Sequence, residues 1–320
     1  MEVSPTTGRA NKNIKVFLAL SSGVDSTMAG YLMIQKFPNL NYVGVYLNNW
    51  DHQEESGGLN SCPSEREWAQ VQFISQKLNI PTIKLNFIKN YWNSVFEPTL
   101  NNYQLGLTPN PDILCNKEVK FGVLWDHLKH YAAGDEFWLV TGHYATVDHR
   151  NPNHLRLIQG VDPIKDQTYY LAGLSQEKLN KVIFPLGAFY KKDIKQLAKD
   201  VGFVEQSEQK ESMGICFIGK RSTGFQQFLS NYLRKQQVKV VNWKNGKFIT
   251  NVNIWEFTLG QRLRGTGLGQ RWYVGIKDAA SSIIMAVNQR DHPSYLKVGR
   301  LRWQKLEVRL NQRKFTLNRV

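Results

Sequence analysis

The chain has only three cysteines in 320 residues, and none sits in a Cys-x-x-Cys pair. That excludes a disulfide-stapled framework and argues against zinc or iron–sulfur sites built on paired cysteines. No apolar run reaches the roughly 18 residues a transmembrane helix needs, so no membrane span is expected. The N-terminus lacks an apolar signal-peptide core. Residues 1–13 are rich in Ser, Thr and Asn with Arg9 and Lys12, yet Glu2 and the shortness of the segment fit a transit peptide poorly. Internal repeats and low-complexity linkers are missing. Acidic residues are scarce: 26 Asp and Glu face 41 Lys and Arg, for a net charge of +15 and a pI near 9.6. A balance that basic predicts a polyanionic partner, most simply nucleic acid. A solvated basic surface without a specific partner is the plain alternative. The 42% hydrophobic and 12% aromatic content is that of a folded protein with room for one large domain and one or two small ones.

The first half alternates strand-like and helical runs. Lys15–Leu20, Tyr42–Leu47, Thr82–Phe87 and Phe137–Thr141 read as buried strands; Thr27–Phe37, Ser64–Leu78 and Lys117–Tyr131 read as amphipathic helices, with Tyr190–Val201 as one more. This order predicts an α/β fold with a parallel sheet covered on both faces, whose ligands lie beyond the carboxyl ends of the strands. Beyond Lys220 the character changes. Phe225–Lys235 reads as a short helix, Val238–Val241 and Lys247–Val252 alternate around Asn245-Gly246 as a hairpin, and Ser282–Val287 reads as a strand. The expected organisation is a catalytic domain over 1–221, a small β-rich domain over 222–288, and a basic segment over 289–320. That last segment holds nine Lys and Arg against two acids between Arg290 and Arg319.

Chemistry concentrates at a few places. Ala19-Leu20-Ser21-Ser22-Gly23-Val24-Asp25-Ser26 joins a predicted strand to a predicted helix. A helix start has N–H groups without intrahelical partners and a dipole that favours an anion. Gly23 lets backbone approach phosphate, Ser21, Ser22 and Ser26 bring hydroxyls, and Asp25 is a candidate magnesium ligand. No Gly-Lys-Ser/Thr follows, so this is not a Walker loop. The string resembles the SGGVDS loop of enzymes that split ATP into AMP and pyrophosphate, with Ser22 in place of the first Gly; an ordinary strand–helix turn is the bland reading. Leu47 and the Thr141-Gly142-His143-Tyr144 turn are expected at the same sheet edge.

Cys115 lies in Asn110-Pro111-Asp112-Ile113-Leu114-Cys115-Asn116-Lys117, with a helix expected to begin near Asn116. A thiol at a helix N-terminus beside Lys117 would gain thiolate character, and Asp112 lies about one turn upstream to exchange a proton. Cys216 lies in a glycine-flanked apolar stretch, Gly214-Ile215-Cys216-Phe217-Ile218-Gly219. An isolated cysteine is usually a small buried hydrophobe. Cys62 is read that way, or as a surface-loop residue. Arg262, Arg264 and Arg271, spaced by glycines, suit phosphate contact or simply a charged hairpin loop. Tyr169 and Tyr170 read as core packing rather than a base-stacking platform.

The strings SSGVDS, NPDILCNKEVKFG, TGHYA, KDQTYYL, GICFIGKR and FTLGQR occur in one order. Together, over about Ile14 to Arg300, they resemble the tRNA-specific 2-thiouridylases, the mitochondrial branch more than the bacterial. The resemblance implies an ATP-pyrophosphatase α/β domain, a small central domain and a C-terminal β-barrel, of which 289–320 would be a truncated beginning. It implies an ATP site over Ala19 to Ser26 with Leu47 and Gly142. Asn110, Pro111 and Asp112 would border the target base, and His143, Lys165, Asp166 and Gln167 would touch tRNA. Cys115 would be the nucleophile and Cys216 the persulfide carrier, the two ending as a disulfide. ATP with magnesium, tRNA and a persulfide donor protein are the implied partners, in a mitochondrion or, for a bacterial protein, the cytoplasm. The implied reaction is thiolation at C2 of the wobble uridine after ATP adenylates its oxygen. Two other readings stand beside it. One is a different ATP pyrophosphatase, such as a small-molecule amidotransferase or ligase. The other is a non-catalytic tRNA-binding protein.

Overall fold

The computed structural model describes residues 14–50, 63–209, 225–263 and 270–289. The chain divides into two compact units. The first comprises 1–104 and 109–234, and the second 105–108 and 235–320.

The first unit is built on a parallel sheet. Its strands are β1 (Lys15–Leu20), β2 (Asn41–Asn48), β3 (Thr82–Asn86), β4 (Phe137–Val140) and β7 (Val182–Ile183), in the order β3-β2-β1-β4-β7. β1 is central, with Leu18 opposite Gly44 of β2 on one side and Val140 of β4 on the other. Both faces of β1 are buried, as a parallel strand covered by crossover helices requires. Val16, Leu18 and Leu20 join Met28 and Met33 of α1 (Val24–Lys36) and Val71 and Ile74 of α2 (Pro63–Lys77) in one core cluster. Phe17, fully buried, faces the other way, edge-on to Tyr131 and Phe137 at 5.8 and 5.9 Å. A two-stranded hairpin, β5 (Ala145–Asp148) and β6 (Arg156–Gln159), follows β4 directly and was not legible as strand in the sequence.

Two helical stretches depart from the expected pattern. α3 spans 88–104, with a widened π turn at Trp92–Phe96 directly before Pro98, which has no N–H to give and would crowd the carbonyl one turn back in a regular helix. α4 spans 111–131 and holds a second π segment, Cys115–Val123. Gly122 is needed there, because a side-chain carbon at that position would stand 2.9 Å from the Lys117 carbonyl oxygen. The helix therefore begins at Pro111, not near Asn116. Asn110 caps it, its Oδ1 accepting the Asp112 and Ile113 N–H groups at 3.2 and 3.3 Å. α5 (Lys191–Asp200) packs Ile194 and Ala198 into the core cluster. The expected helix over Phe225–Lys235 is helical only over Phe225–Leu229. Phe228 and Tyr232 bury their rings against Phe96 of α3, so this segment groups with the first unit.

The second unit is a five-stranded sheet. Its strands are β8 (Gln237–Asn242), β9 (Phe248–Asn253), β10 (Arg262–Leu263), β11 (Trp272–Asp278) and β12 (Ile283–Val287), in the order β10-β11-β12-β8-β9. The β8–β9 hairpin turns at Gly246, whose φ of +68° is the left-handed conformation that the Asn-Gly pair foretold. Val238, Val240, Val274, Ile284 and Ala286 form its interior.

Truncating Phe17 removes an aromatic side chain from a site that two rings and a sheet hold in place. Phe17→Ala should destabilise the first unit by about 3–5 kcal/mol, read as a lowered urea midpoint; a loss under about 1 kcal/mol would contradict the packing described.

Candidate functional site

The turn after β1 is shaped by its own hydroxyls. Ser26 Oγ accepts the Ser21 N–H at 3.0 Å and lies 3.1 Å from the carbonyl oxygens of both Ser21 and Gly23. Ser21 Oγ lies 3.0 Å from Ser26 Oγ and accepts the Gly23 N–H at 3.2 Å. Ser21 and Ser26 are thus engaged in holding the turn, while Ser22 is half-buried beside them. Gly23 is the helix N-cap, with an extended backbone (φ −80°, ψ 153°) and no side chain to accept the first-turn N–H groups. Its conformation suits any residue. What glycine contributes is an open mouth to a helix start whose N–H groups seek an anion.

The adjacent strand end closes on this turn. A side-chain carbon on Gly142 would stand 2.6 Å from the Asp25 carbonyl carbon and 2.7 Å from the Ser26 nitrogen, so the β4 turn lies backbone to backbone on the start of α1. Leu47 sits half-buried near the end of neighbouring β2. His143, only 6% exposed, has Nδ1 2.7 Å from Thr141 Oγ1, and its ring lies 6.0 Å from Phe121 of α4. Burial, and then the nearby Lys120 charge, push its pKa well below the usual histidine value, so the ring is neutral near pH 7. His143 is therefore enclosed in the packing between the β4 turn and α4.

Cys115 is buried on α4 at the start of the π segment, within the helix and not at its N-terminus. The helix-start argument for a thiolate accordingly does not apply to Cys115, and Lys117 pairs with Glu118 at 2.9 Å. The neighbouring Asn116 is buried, donates through Nδ2 to the Tyr170 carbonyl at 3.2 Å, and leaves Oδ1 without a partner. Asp112 is half-buried. Desolvation raises its pKa from 3.8 to about 6, with Lys120 opposing the rise. Lys120 thus acts electrostatically on both Asp112 and His143. Cys216, Cys62 and Arg264 lie outside the described residues. Arg262 and Arg271 are exposed on the second unit.

The 160–168 segment is tied to the same edge. Asp166 accepts the Gly160 N–H at 3.0 Å and the Thr168 hydroxyl at 2.6 Å. Gln167 exchanges two bonds with Tyr144: its Oε1 accepts the Tyr144 N–H at 3.1 Å, and its N–H donates to the Tyr144 carbonyl at 2.9 Å. Asp166 and Gln167 thus build the loop. Its outward residues are Ile164, 88% exposed, and Tyr169, 69% exposed, so the core reading of Tyr169 fails.

Lys191 escaped the sequence reading, and Tyr144 entered it only as part of the β4 turn. Lys191 Nζ lies 2.7 and 2.6 Å from the two oxygens of Asp25, and the Tyr144 hydroxyl donates to Asp25 Oδ1 at 2.9 Å. A lysine at the first position of a helix opposes the helix dipole, and that local misfit was the one signal available.

A model of the "tRNA methyl transferase HUP domain" matches residues 14–220, and one of the "tRNA methyl transferase PRC-barrel domain" matches 226–288. The chain is 40% identical over 290 residues to the tRNA-specific 2-thiouridylase MnmA of Alkaliphilus oremlandii, covering 89% of this chain and 76% of that one. It is 41% identical over 286 residues to the mitochondrial tRNA-specific 2-thiouridylase 1 of Schizosaccharomyces pombe, covering 84% and 68%. The MnmA of Malacoplasma penetrans is 39% identical over 283 residues, covering 84% and 74%. The chain belongs to the tRNA-specific 2-thiouridylase family. Membership accounts for the α/β domain with its pyrophosphatase-type loop followed by a β-rich domain.

The residues at the loop of this 2-thiouridylase fit a nucleotide phosphate: an uncapped helix start, a glycine at its mouth, and a second glycine pressed against its backbone. They do not fit a directly held magnesium ion. Both oxygens of Asp25 already face an ammonium group, and among the described residues no cluster of three or more His, Cys, Asp or Glu could hold a metal.

Asp112 also yields a pH prediction. A carboxyl whose folded pKa is raised binds its proton more tightly in the folded state, so its contribution to stability falls as pH rises from 3.8 to about 6. Across that window the wild type should lose stability relative to Asp112→Asn, and the difference should be flat above it. Chemical unfolding at a series of pH values checks this; a difference that does not change with pH would show the carboxyl to be unperturbed.

Proposed function

We propose that this protein thiolates C2 of the wobble uridine in tRNA, using ATP to activate the base and cysteine sulfur to replace its oxygen. One observation carries the reading. Residues 142 and 143 touch two elements at once, Gly142 lying on the nucleotide-type loop and His143 against Phe121 of the helix that holds buried Cys115. The names of the relatives support the substrate. The family models' description speaks of methyl transfer, but a phosphate-type loop linked through residues 142 and 143 to a helix that carries a buried cysteine suits activation followed by sulfur chemistry.

In this reading the uracil O2 attacks the α-phosphorus of ATP and pyrophosphate leaves into the Ser21–Ser26 loop. The wobble base lies in an unpaired loop, so turning it outward costs little unstacking. Neutral His143 and the Asn110–Asp112 turn line the base. Asp112, with a pKa near 6, is suited to exchange a proton close to neutral pH. Sulfur arrives as a persulfide on Cys216 from a donor protein. In one route the terminal sulfur attacks C2 and expels AMP, and Cys115 then attacks the Cys216 sulfur to free the thiolated base. In the other, Cys115 attacks the Cys216 sulfur first and releases hydrosulfide, which attacks C2. Both leave a Cys115–Cys216 disulfide that a dithiol must reduce. The half-exposed 160–168 segment and the net charge of +15 support contact with the tRNA backbone. The S. pombe relative supports a mitochondrial location, and the equally similar bacterial relatives a bacterial cytoplasm.

Nucleoside mass spectrometry of tRNA incubated with the protein, ATP, magnesium and a persulfide source should show 2-thiouridine. Cys115→Ser and Cys216→Ser should each lower its yield by at least about 100-fold while leaving tRNA affinity within about two-fold. Full turnover by either variant would end the two-thiol mechanism. Affinity for tRNA should fall steeply with salt, at least about ten-fold between 50 and 200 mM, as counterion release demands; a flat response would reject the electrostatic footprint.

A further inference from the structure

The Asp25–Lys191 pair is a charged contact that engages both carboxylate oxygens at the start of α1. The Lys191 side chain is 9% exposed and its ammonium reaches both carboxylate oxygens of Asp25. Tyr144 holds the same carboxylate from a second element, with its ring 5.9 Å from the ammonium. The Lys191 backbone is fixed as well. Its N–H donates at 3.0 Å to Asp162 Oδ2, a buried carboxylate whose Oδ1 accepts the Ile164 and Lys165 N–H groups. A buried ammonium persists only where its charge is matched, and here the match is the second residue of α1, at the mouth of the phosphate-type loop. The Asp25 side chain is 35% exposed, yet both its oxygens are engaged by the Lys191 ammonium and Oδ1 also accepts the Tyr144 hydroxyl.

We propose that Lys191 neutralises the Asp25 carboxylate at the mouth of the nucleotide site, and that Asp25 serves to hold that ammonium in place and not to bind a divalent cation. Lys191 is a positioning residue. It keeps the Asp25 carboxylate against Tyr144 and offsets its negative charge, which would otherwise repel a triphosphate at the start of α1. Any magnesium then travels with the triphosphate. This inference rests on the reading of the loop as an ATP site.

The test uses the full chain and two binding measurements that need no turnover. Calorimetry with ATP in excess EDTA should give at least about ten-fold weaker binding for Lys191→Met than for wild type, with Lys191→Arg restoring affinity to within about three-fold. Manganese, added without nucleotide and followed by electron paramagnetic resonance, should bind Lys191→Met at least about ten-fold more tightly than wild type, and the gain should vanish in Lys191→Met/Asp25→Asn. Equal ATP affinity in wild type and Lys191→Met would overturn the proposal alone, as would wild-type manganese binding that Asp25→Asn abolishes. A wild type that binds no ATP would overturn the nucleotide reading and this inference with it. Should Lys191→Met fail to fold by circular dichroism, the manganese comparison between wild type and Asp25→Asn still decides, with no difference expected.

Discussion

β1 has a parallel partner on each side, and the chain leaves it in one direction and returns on the other. Its carboxyl end is therefore where the connections diverge and no crossover helix closes over the sheet. Everything chemical in the first unit follows from that opening. The turn after β1 becomes the start of α1, the turn after β4 lies upon it from one side, and β2 ends on the other side of β1. Glycine at 142 is a condition of this geometry, since any side chain would push the β4 turn off the start of α1.

Around the opening, burial sets the properties of each group. His143 is neutral because it is enclosed, and Asp112 holds its proton toward pH 6 because it is half-enclosed, the Lys120 charge only partly opposing the rise. Lys191 tolerates burial because Asp25 meets it, and Asp25 is held in turn by Tyr144. These residues come from α1, the β4 turn, α4 and α5, so the chemistry is assembled from segments far apart in the chain. The hydroxyls of Ser21 and Ser26 illustrate the same economy: they shape the turn by accepting the Ser21 and Gly23 N–H groups, and the start of α1, which no side chain caps, is left to meet an anion.

The parallel strands were legible because each is a short β-branched or aliphatic run bounded by turns, and the Asn245-Gly246 hairpin because its turn chemistry is specific. The α3 helix was not legible: Pro98 interrupts its pattern, and only the widened turn before it lets the helix continue. The start of α4 was misplaced by about five residues. Asn110-Pro111 is a helix start by cap and proline chemistry, yet the apolar period that would have extended the helix is disturbed by the π segment at Cys115–Val123. Tyr169 looked like core because aromatics usually are. Its exposure is set by the internal bonds of Asp166 and Gln167, which turn the loop outward.

What the sequence determined by itself is local: the strand–turn–helix that makes an anion site, the cysteine beside an aspartate, and the excess of positive charge. Each depends on residues within a few positions of one another, where backbone geometry and hydrogen-bonding reach are short-range. Only the tertiary structure decided that a lysine 166 positions from Asp25 is its partner, that Cys115 is buried inside its helix, and that His143 is enclosed. Those outcomes depend on which surfaces are withdrawn from water together, and desolvation is a property of the packed assembly that no single segment carries.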